Sequence, residues 1–310
     1  MISRLGLGML IAGVAIGTVH DRAPELAPRQ RGPYWMLDGD FHVHTRFSDG
    51  FLFPIDAVLE ARRRGLEVVA ITEHNTAWAG KLAAAFGPYE SGPIVLPGEE
   101  VTTRDYHLIA VGMQRTVPGG LRIEEALRQV HAQGAVAIAA HPVRMYWDTY
   151  RPVLKELDGA EVLHPLVRGK RIAPIGWNPE DLRSFWGELS AARTHPLAIG
   201  SSDYHFLSAL GACRTLVFAR ERTPESVLEA LRAGRTVVVL EDGSRVGDPE
   251  MVALMQPEDA PRSSDEDYGA SGIWDQLGRW LGFIGLLMLG FGARRADRGP
   301  PESASPALSA

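Results

Sequence analysis

Short apolar runs alternate with helical patterns across residues 35–245. The runs are Phe41–Thr45, Val68–Thr72, Ile94–Leu96, Leu108–Val111, Ala135–Ala140, Ala160–Leu163, Leu197–Gly200, Leu216–Ala219 and Val237–Leu240. Helical spacing marks Pro54–Arg64, Ile123–Gln133, Pro179–Ala192 and Pro224–Ala233. Pro54, Pro179 and Pro224 suit a first helical turn, where a missing N–H costs nothing. Gly65, Gly134 and Gly234 suit the left-handed stop after a last turn. Strand and helix in regular alternation predict an α/β fold on a parallel sheet, open or closed into a barrel.

Outside that region the pattern changes. Residues 1–20 are a short basic start followed by an apolar run, Leu5 to Val19, and residues 273–295 are mostly apolar and lead into Arg294-Arg295. Both are expected to be hydrophobic helices: an N-terminal anchor or signal segment, and a C-terminal transmembrane helix with Trp274 and Trp280 in an interfacial belt. Arginines at both ends then predict a membrane-anchored chain with its catalytic domain on the extracytoplasmic side. Gly13/Gly17 and Gly278/Gly282 are spaced for close helix approach. Residues 246–272 are acidic and poor in apolar side chains, the pattern of a flexible linker, and 296–310 form a Ser/Ala/Pro-rich tail expected to be disordered.

The net charge of −6 argues against a nucleic-acid surface, which needs a clustered basic face. A single cysteine, Cys213, excludes an intrachain disulfide and lies in an apolar run that buries it. Any bound metal is therefore held by histidine and carboxylate.

Those residues recur at strand ends. Asp40-Phe-His42-Val-His44 ends one run, with Asp49 just beyond; alternate strand residues share a face, so His42 and His44 can share an ion. Glu73-His74 ends the second, and Glu99-Glu100 the third, with His107 shortly after. His141 and Asp203-Tyr-His205 end two more. In barrels and open α/β sheets alike the carboxyl ends of strands converge on one face. Imidazole with carboxylate suits Zn²⁺, Mn²⁺ or Fe²⁺, and the surplus of ligands implies two or three ions, with a carboxylate such as Glu100 able to bridge a pair. Metal binding brings the pKa of water toward ~7 and so makes a nucleophile available at neutral pH.

The motifs Asp40-Phe-His-Val-His-Thr45…Ser48-Asp-Gly50, Ile71-Thr-Glu-His-Asn75, Pro97-Gly-Glu-Glu100, Ala140-His-Pro142 and Ser202-Asp-Tyr-His205 together resemble the PHP (polymerase and histidinol phosphatase) family over residues 38–240. Gly98-Glu-Glu-Val-Thr-Thr103 with His107 is most similar to the branch that includes carbamate hydrolases. The resemblance implies a distorted (β/α)7 barrel with a di- or trinuclear site. It implies that His42, His44, Glu100 and Asp203 hold one ion, that Glu100, His107 and His141 hold a second, and that Asp49, His74 and His205 hold a third or complete the cluster. The family usually has aspartate where this chain has Glu73, so Glu73 is either a support for His74 or a group in the catalytic site. Arg144 is the candidate cation for catalysis on a substrate anion. His164, Arg168, Lys170 and Arg171 are candidate substrate contacts.

The expected function is a multinuclear metal-dependent phosphoesterase acting on a small, anionic molecule. An amide, carbamate or ester hydrolase with the same metal site is the alternative, and a non-catalytic membrane-tethered binding domain is the third. Pocket lining separates the first two: an arginine directed at the metals favours phosphate, an aromatic wall favours a carbonyl. Tyr146 and Trp147, close after His141, keep the carbonyl reading open.

Overall fold

The computed structural model describes residues 2–20, 26–86, 92–165, 177–205, 208–262 and 273–296. Helix α1 (Ile2–His20) precedes β1 (Gln30–Arg31) and β2 (Tyr34–Asp40). Then come α2 (Pro54–Arg63), β3 (Val68–Ile71), α3 (Trp78–Phe86), β4 (Ile94–Thr102) and β5 (His107–Val111). The next elements are α4 (Ile123–His131), β6 (Val136–Ala139), the single-turn α5 (Trp147–Tyr150), β7 (Gly159–Leu163), α6 (Pro179–Ala192) and β8 (Leu197–Gly200). The chain ends with β9 (Thr215–Ala219), α7 (Pro224–Arg232), β10 (Thr236–Val239), β11 (Arg245–Gly247), α8 (Pro249–Leu254) and α9 (Ile273–Ala296).

Local sequence accounts for the helix ends. Pro54, Pro179 and Pro224 open α2, α6 and α7, and the Asn178 and Thr223 side chains accept backbone N–H bonds at the starts of the latter two. Gly65, Gly134 and Gly234 follow α2, α4 and α7 with φ of 65°, 71° and 68°, which a Cβ would disfavour.

The strands form one sheet in the order β11-β10-β9-β2-β3-β4-β5-β6-β7-β8, with β1 beside β2. Two parallel sets, β2-β3-β4 and β6-β7-β8, are joined through β5, antiparallel to both of its neighbours. β9 and β10 are also antiparallel, so the sheet is mixed where alternation alone predicts parallel strands. The β4–β5 hairpin is the local cause: four residues separate these strands, too few for a crossover. The sheet curls until β8 meets β9 and β10. There, side chains bridge the seam: Thr236 Oγ1 donates to Ala198 O at 2.8 Å, and Thr215 Oγ1 donates to Gly200 O at 2.9 Å. The result is a nearly closed, distorted α/β barrel.

Inward residues of the strands, among them Leu37, Val68, Ile109, Ile138, Ile199 and Val217, pack into one core with Val227, Ala230 and Leu231 of α7. Leu108 and Ala110 point the other way, into a second core with Ala126, Leu127 and Val130 of α4. That alternation fixes two acids. Glu100 pairs with Ile109 and shares the inward face, whereas Glu99 pairs with Ala110 and shares the outward one.

The molecule divides into two compact units, Ala23–Gly269 and the pair Met1–Arg22 with Ala270–Ala310. In the second unit α1 and α9 pack on glycine: a Cβ on Gly13 would stand 2.4 Å from Gly282 N, and one on Gly285 2.6 Å from Leu10 N. Of the two spaced pairs, Gly13 and Gly278 are the members whose Cβ positions lie at the close approach. The expected membrane spans are not present, because no helix among the described residues is long and apolar enough to cross a membrane. The uninterrupted apolar stretches are Leu5–Gly17, ahead of Thr18, and Trp280–Ala293, between Arg279 and Arg294. At roughly 1.5 Å per residue each reaches about 20 Å, against the ~30 Å of a hydrocarbon core. The membrane-anchored, extracytoplasmic location inferred from two spans therefore falls with them.

The expected linker 246–272 is also corrected. Val246 is paired in β11, Asp248 caps α8 through Glu250 N and Met251 N, and Arg262 N donates to Asp38 Oδ1 at 3.0 Å. Residues 263–272 and the tail 297–310 lie outside the described residues.

Candidate metal centre

Nine of the expected ligands meet at the mouth of the barrel. His42 and His44 follow β2 and are laced to the far side of the seam, where His44 N donates to Tyr204 O at 3.0 Å and Tyr204 N to His42 O at 3.3 Å. Asp203 and His205 flank that tyrosine. His74 follows β3 and bridges in parallel to Glu100 of β4, and His107 begins β5. His141 follows β6. Its backbone and that of Asp203 are left-handed, with φ of 24° and 42°, a strain that non-glycine residues hold only where surroundings enforce it.

The spacings within the cluster are those of co-ligands more than of hydrogen bonds. Asp203 Oδ1 stands 3.3 Å from both His42 Nε2 and His44 Nε2, while Glu100 stands 3.5 Å from His42 Nε2, 3.4 Å from His44 Nε2 and 3.4 Å from His141 Nε2. Asp49 lies 3.4 Å from His74 Nε2 and 3.2 Å from His205 Nε2. Atoms bound to one ion at about 2.0–2.1 Å in tetrahedral geometry are separated by roughly 3.4 Å. The buried His42 Nε2 and His44 Nε2 make no hydrogen bond. The donor set thus fits divalent cations in three overlapping groups: His42/His44/Asp203, His42/Glu100/His141 and His44/Asp49/His74/His205. Two contacts to Glu100 are shorter: His107 Nδ1 lies 2.9 Å from Oε1 and His74 Nδ1 2.8 Å from Oε2.

A surrounding set of groups fixes these rings. Glu161 Oε1 lies 3.0 Å from His42 Nδ1, turning Nε2 toward the centre, and the same carboxylate accepts from His141 N and Ser201 Oγ. Thr102 Oγ1 lies 2.6 Å from His74 Nδ1. Asp40 accepts from Ser202 N at 3.0 Å and Gly211 N at 2.8 Å, securing the segment that carries Asp203. Burial opposes charge throughout, yet His42 is held well above the usual imidazole range by Asp203, Glu100 and Glu161. Burial also opposes ionisation of Glu161, but His42, His164 and His141 bring it down to about 2. Glu100 is likewise held well below the usual carboxylate range, burial notwithstanding, by His42, His107 and His141.

Other expected residues find different places. Glu73 is buried, but it accepts from Thr45 N at 2.8 Å and from the Thr45 and Ser48 hydroxyls, so it anchors the loop carrying Asp49 and does not support His74. Arg144 points away from the cluster: its side chain is 74% exposed, 2.9 Å from Asp181 and above the Trp147 ring. His164 is fully buried with Nε2 3.1 Å from Asp203 Oδ2, where it supports that carboxylate. Arg168, Lys170 and Arg171 lie outside the described residues. Glu161 escaped sequence reasoning, although an acid inside the apolar strand Gly159–Leu163 was a usable signal. Trp177, 4.9 Å from the His141 ring and 5.4 Å from His164, carried no signal.

Comparison with known proteins places the chain. Residues 188–236 match the family model described as PHP-associated. The chain is 31% identical over 166 residues to the uncharacterized protein MJ1587 of Methanocaldococcus jannaschii, covering 90% of that protein and 46% of this one. The two belong to one family. A second relative, a 5'-3' exoribonuclease of Haemophilus influenzae, is 32% identical over 100 residues, 36% of its length and 30% of this chain. Among solved structures, a two-domain protein of Bacteroides vulgatus containing a predicted PHP-like metal-dependent phosphoesterase superposes with a TM-score of 0.58 at 22% identity, covering 75% of this chain and 73% of that one. This family member therefore has the PHP-type barrel that its motifs imply.

Proposed function

We propose that the chain is a hydrolase of phosphate esters that works with two or three divalent cations. The observation that carries this reading is Glu100. Its buried carboxylate has His42, His107 and His141 around Oε1 and His44 and His74 around Oε2, the surroundings of a bridge between ions. His42, His44, Glu100, His141 and Asp203 would hold one pair, and Asp49, His74 and His205 would extend it. When bound, such cations supply a nucleophile from water near neutral pH and positive charge for the oxygens of an in-line displacement. The protein's own groups orient the ligands: Glu161 sets the tautomer of His42, Thr102 steadies His74, and Glu73 holds the Asp49 loop. The Haemophilus relative is an exoribonuclease by name, which supports phosphate-ester chemistry here.

A second reading, hydrolysis of an ester, amide or carbamate, draws on the aromatic wall. Tyr146 stacks at 5.3 Å from the His107 ring, Trp177 lies against His141, and Arg144 is turned outward. The separating experiment uses the full chain loaded with Mn²⁺ or Zn²⁺. Metal content is measured first, followed by parallel assays on p-nitrophenyl phosphate, bis-p-nitrophenyl phosphate and p-nitrophenyl acetate. At least two ions per chain and a kcat/KM favouring a phosphate are expected. Fewer than two ions sinks the multinuclear site, and a preference for the acetate hands the site to the second reading.

A further inference from the structure

The loop that leaves His44 exposes an unusual amount of aromatic surface. In Arg46-Phe-Ser-Asp-Gly-Phe-Leu-Phe53, Phe47, Phe51 and Phe53 are 45%, 64% and 54% exposed. Isolated exposed apolar residues need no explanation, but three rings on one loop form a patch. The loop is well tied. Arg46 N donates to Leu52 O at 2.8 Å, Gly50 N to Thr45 O at 2.8 Å, and Phe51 N to the carbonyl of His205 at 3.0 Å. A Cβ at Gly50 would stand 2.3 Å from His44 O, so only glycine lets the loop lie so close to the cluster. Asp49, between the phenylalanines, contacts His74 and His205. The rings are thus attached to the rim of the metal centre.

Arg46 completes the arrangement. Its guanidinium lies 6.0 Å from the Phe51 ring centroid and 5.6 Å from that of Phe53, within cation–π range. No carboxylate pairs with it among the described residues. A cation held over two exposed rings presents both a planar apolar surface and an uncompensated charge. That combination suits a planar, electron-rich ring linked to a phosphate.

We propose that Arg46, Phe51 and Phe53 form a platform for the non-reacting part of the substrate, and that this part is a planar heteroaromatic ring, as in a nucleoside phosphate. The proposal rests on the phosphate-ester reading and adds the class of ester. The net charge of −6 favours a short substrate, one ring with its phosphate, over a long strand, whose many phosphates need a clustered basic face. Stacking of a base on an aromatic side chain changes affinity by roughly 5- to 100-fold.

The test compares uridine 5'-monophosphate with ribose 5-phosphate, which differ only in the ring. Phosphate release by the Mn²⁺-loaded full chain and equilibrium binding by calorimetry are both measured. The nucleotide is expected to have at least about a 10-fold lower KM and Kd. Phe51→Ala and Phe53→Ala should raise its KM with little change in kcat, moving ribose 5-phosphate at least about five times less. Phe51→Trp should restore the preference. Both sites are exposed, so folding is not at stake. Equal constants for the two compounds, or equal shifts in the variants, overturn the platform while leaving the phosphoesterase intact. Tighter nucleotide binding that Phe51→Ala abolishes, without hydrolysis of either compound, upholds the platform and removes the phosphoesterase. A dimer in sedimentation that Phe51→Ala dissociates, with ring preference unchanged, assigns the rings to a second copy of the chain and overturns the proposal.

Discussion

The two ends of the barrel bury carboxylates in different company. At the mouth, Glu100, Asp203 and Glu161 face imidazoles, and three buried ring nitrogens, His42 Nε2, His44 Nε2 and His141 Nδ1, make no hydrogen bond. At the base, Asp38 and Glu67 face guanidinium groups: Arg29 and Arg262 reach both acids, and Arg222 lies 3.4 Å from Glu67. Arginine is permanently charged, so the guanidinium groups at the base outnumber its two acids and leave nothing to offer a cation. Imidazole is neutral or charged according to its surroundings, so the mouth can exchange protons for metal. Two buried acid clusters of similar size can therefore differ completely in use. The partner decides.

Four measurements break or sharpen that contrast. The largest effect is expected from Glu100→Ala, which should lower turnover by at least ~10³-fold and remove bound metal while the chain stays folded. Metal analysis beside circular dichroism checks it, and retained stoichiometry would show that Glu100 is no bridge. Asp38→Asn at the base should do the reverse. It leaves Arg29 and Arg262 with Glu67 as their one carboxylate of the pair and should cost about 3 kcal/mol in urea unfolding, with metal content unchanged. Glu161→Gln should fall between, weakening metal affinity by about 10- to 100-fold through loss of His42 orientation, as read by competition with a chelator.

The smallest effect concerns Glu99, which is neither at the mouth nor at the base. Burial pushes it up to about 7, against a backbone N–H from Val117 that favours the charged form. From about pH 4.5 to 7 the folded chain keeps a proton that the unfolded chain has lost, so this group lowers stability as pH rises through that window. Glu99→Gln should flatten the fall by about 2 kcal/mol in unfolding titrations. A slope unchanged by the substitution would assign the pH dependence elsewhere.

How much could be read in advance depended on range. Helix starts at Pro54, Pro179 and Pro224 and stops at Gly65, Gly134 and Gly234 were legible because proline and glycine act through their own backbone. The nine histidines and acids were legible as a set because strand ends converge in any such sheet. Arg144 was misplaced because its position, three residues after His141, says nothing of the turn that sends it to Asp181. Glu99 faces outward with respect to the barrel, as its place beside Glu100 on one strand requires, but α4 and its neighbours cover that face and leave it fully buried. The terminal segments were legible as glycine-faced helices and misleading as membrane spans.

The amino-acid order by itself determined which residues could bind metal, where most elements begin and end, and that the sheet would be built from alternating units. Tertiary structure alone decided that β5 runs against its neighbours, that threonine hydroxyls bridge the seam, and that His42 receives Glu161 from a strand more than a hundred residues away. The physical reason is the same in each case. Backbone preferences and periodicity act over a few residues, whereas the orientation of an imidazole is set by whichever buried carboxylate the closed barrel brings within hydrogen-bond reach.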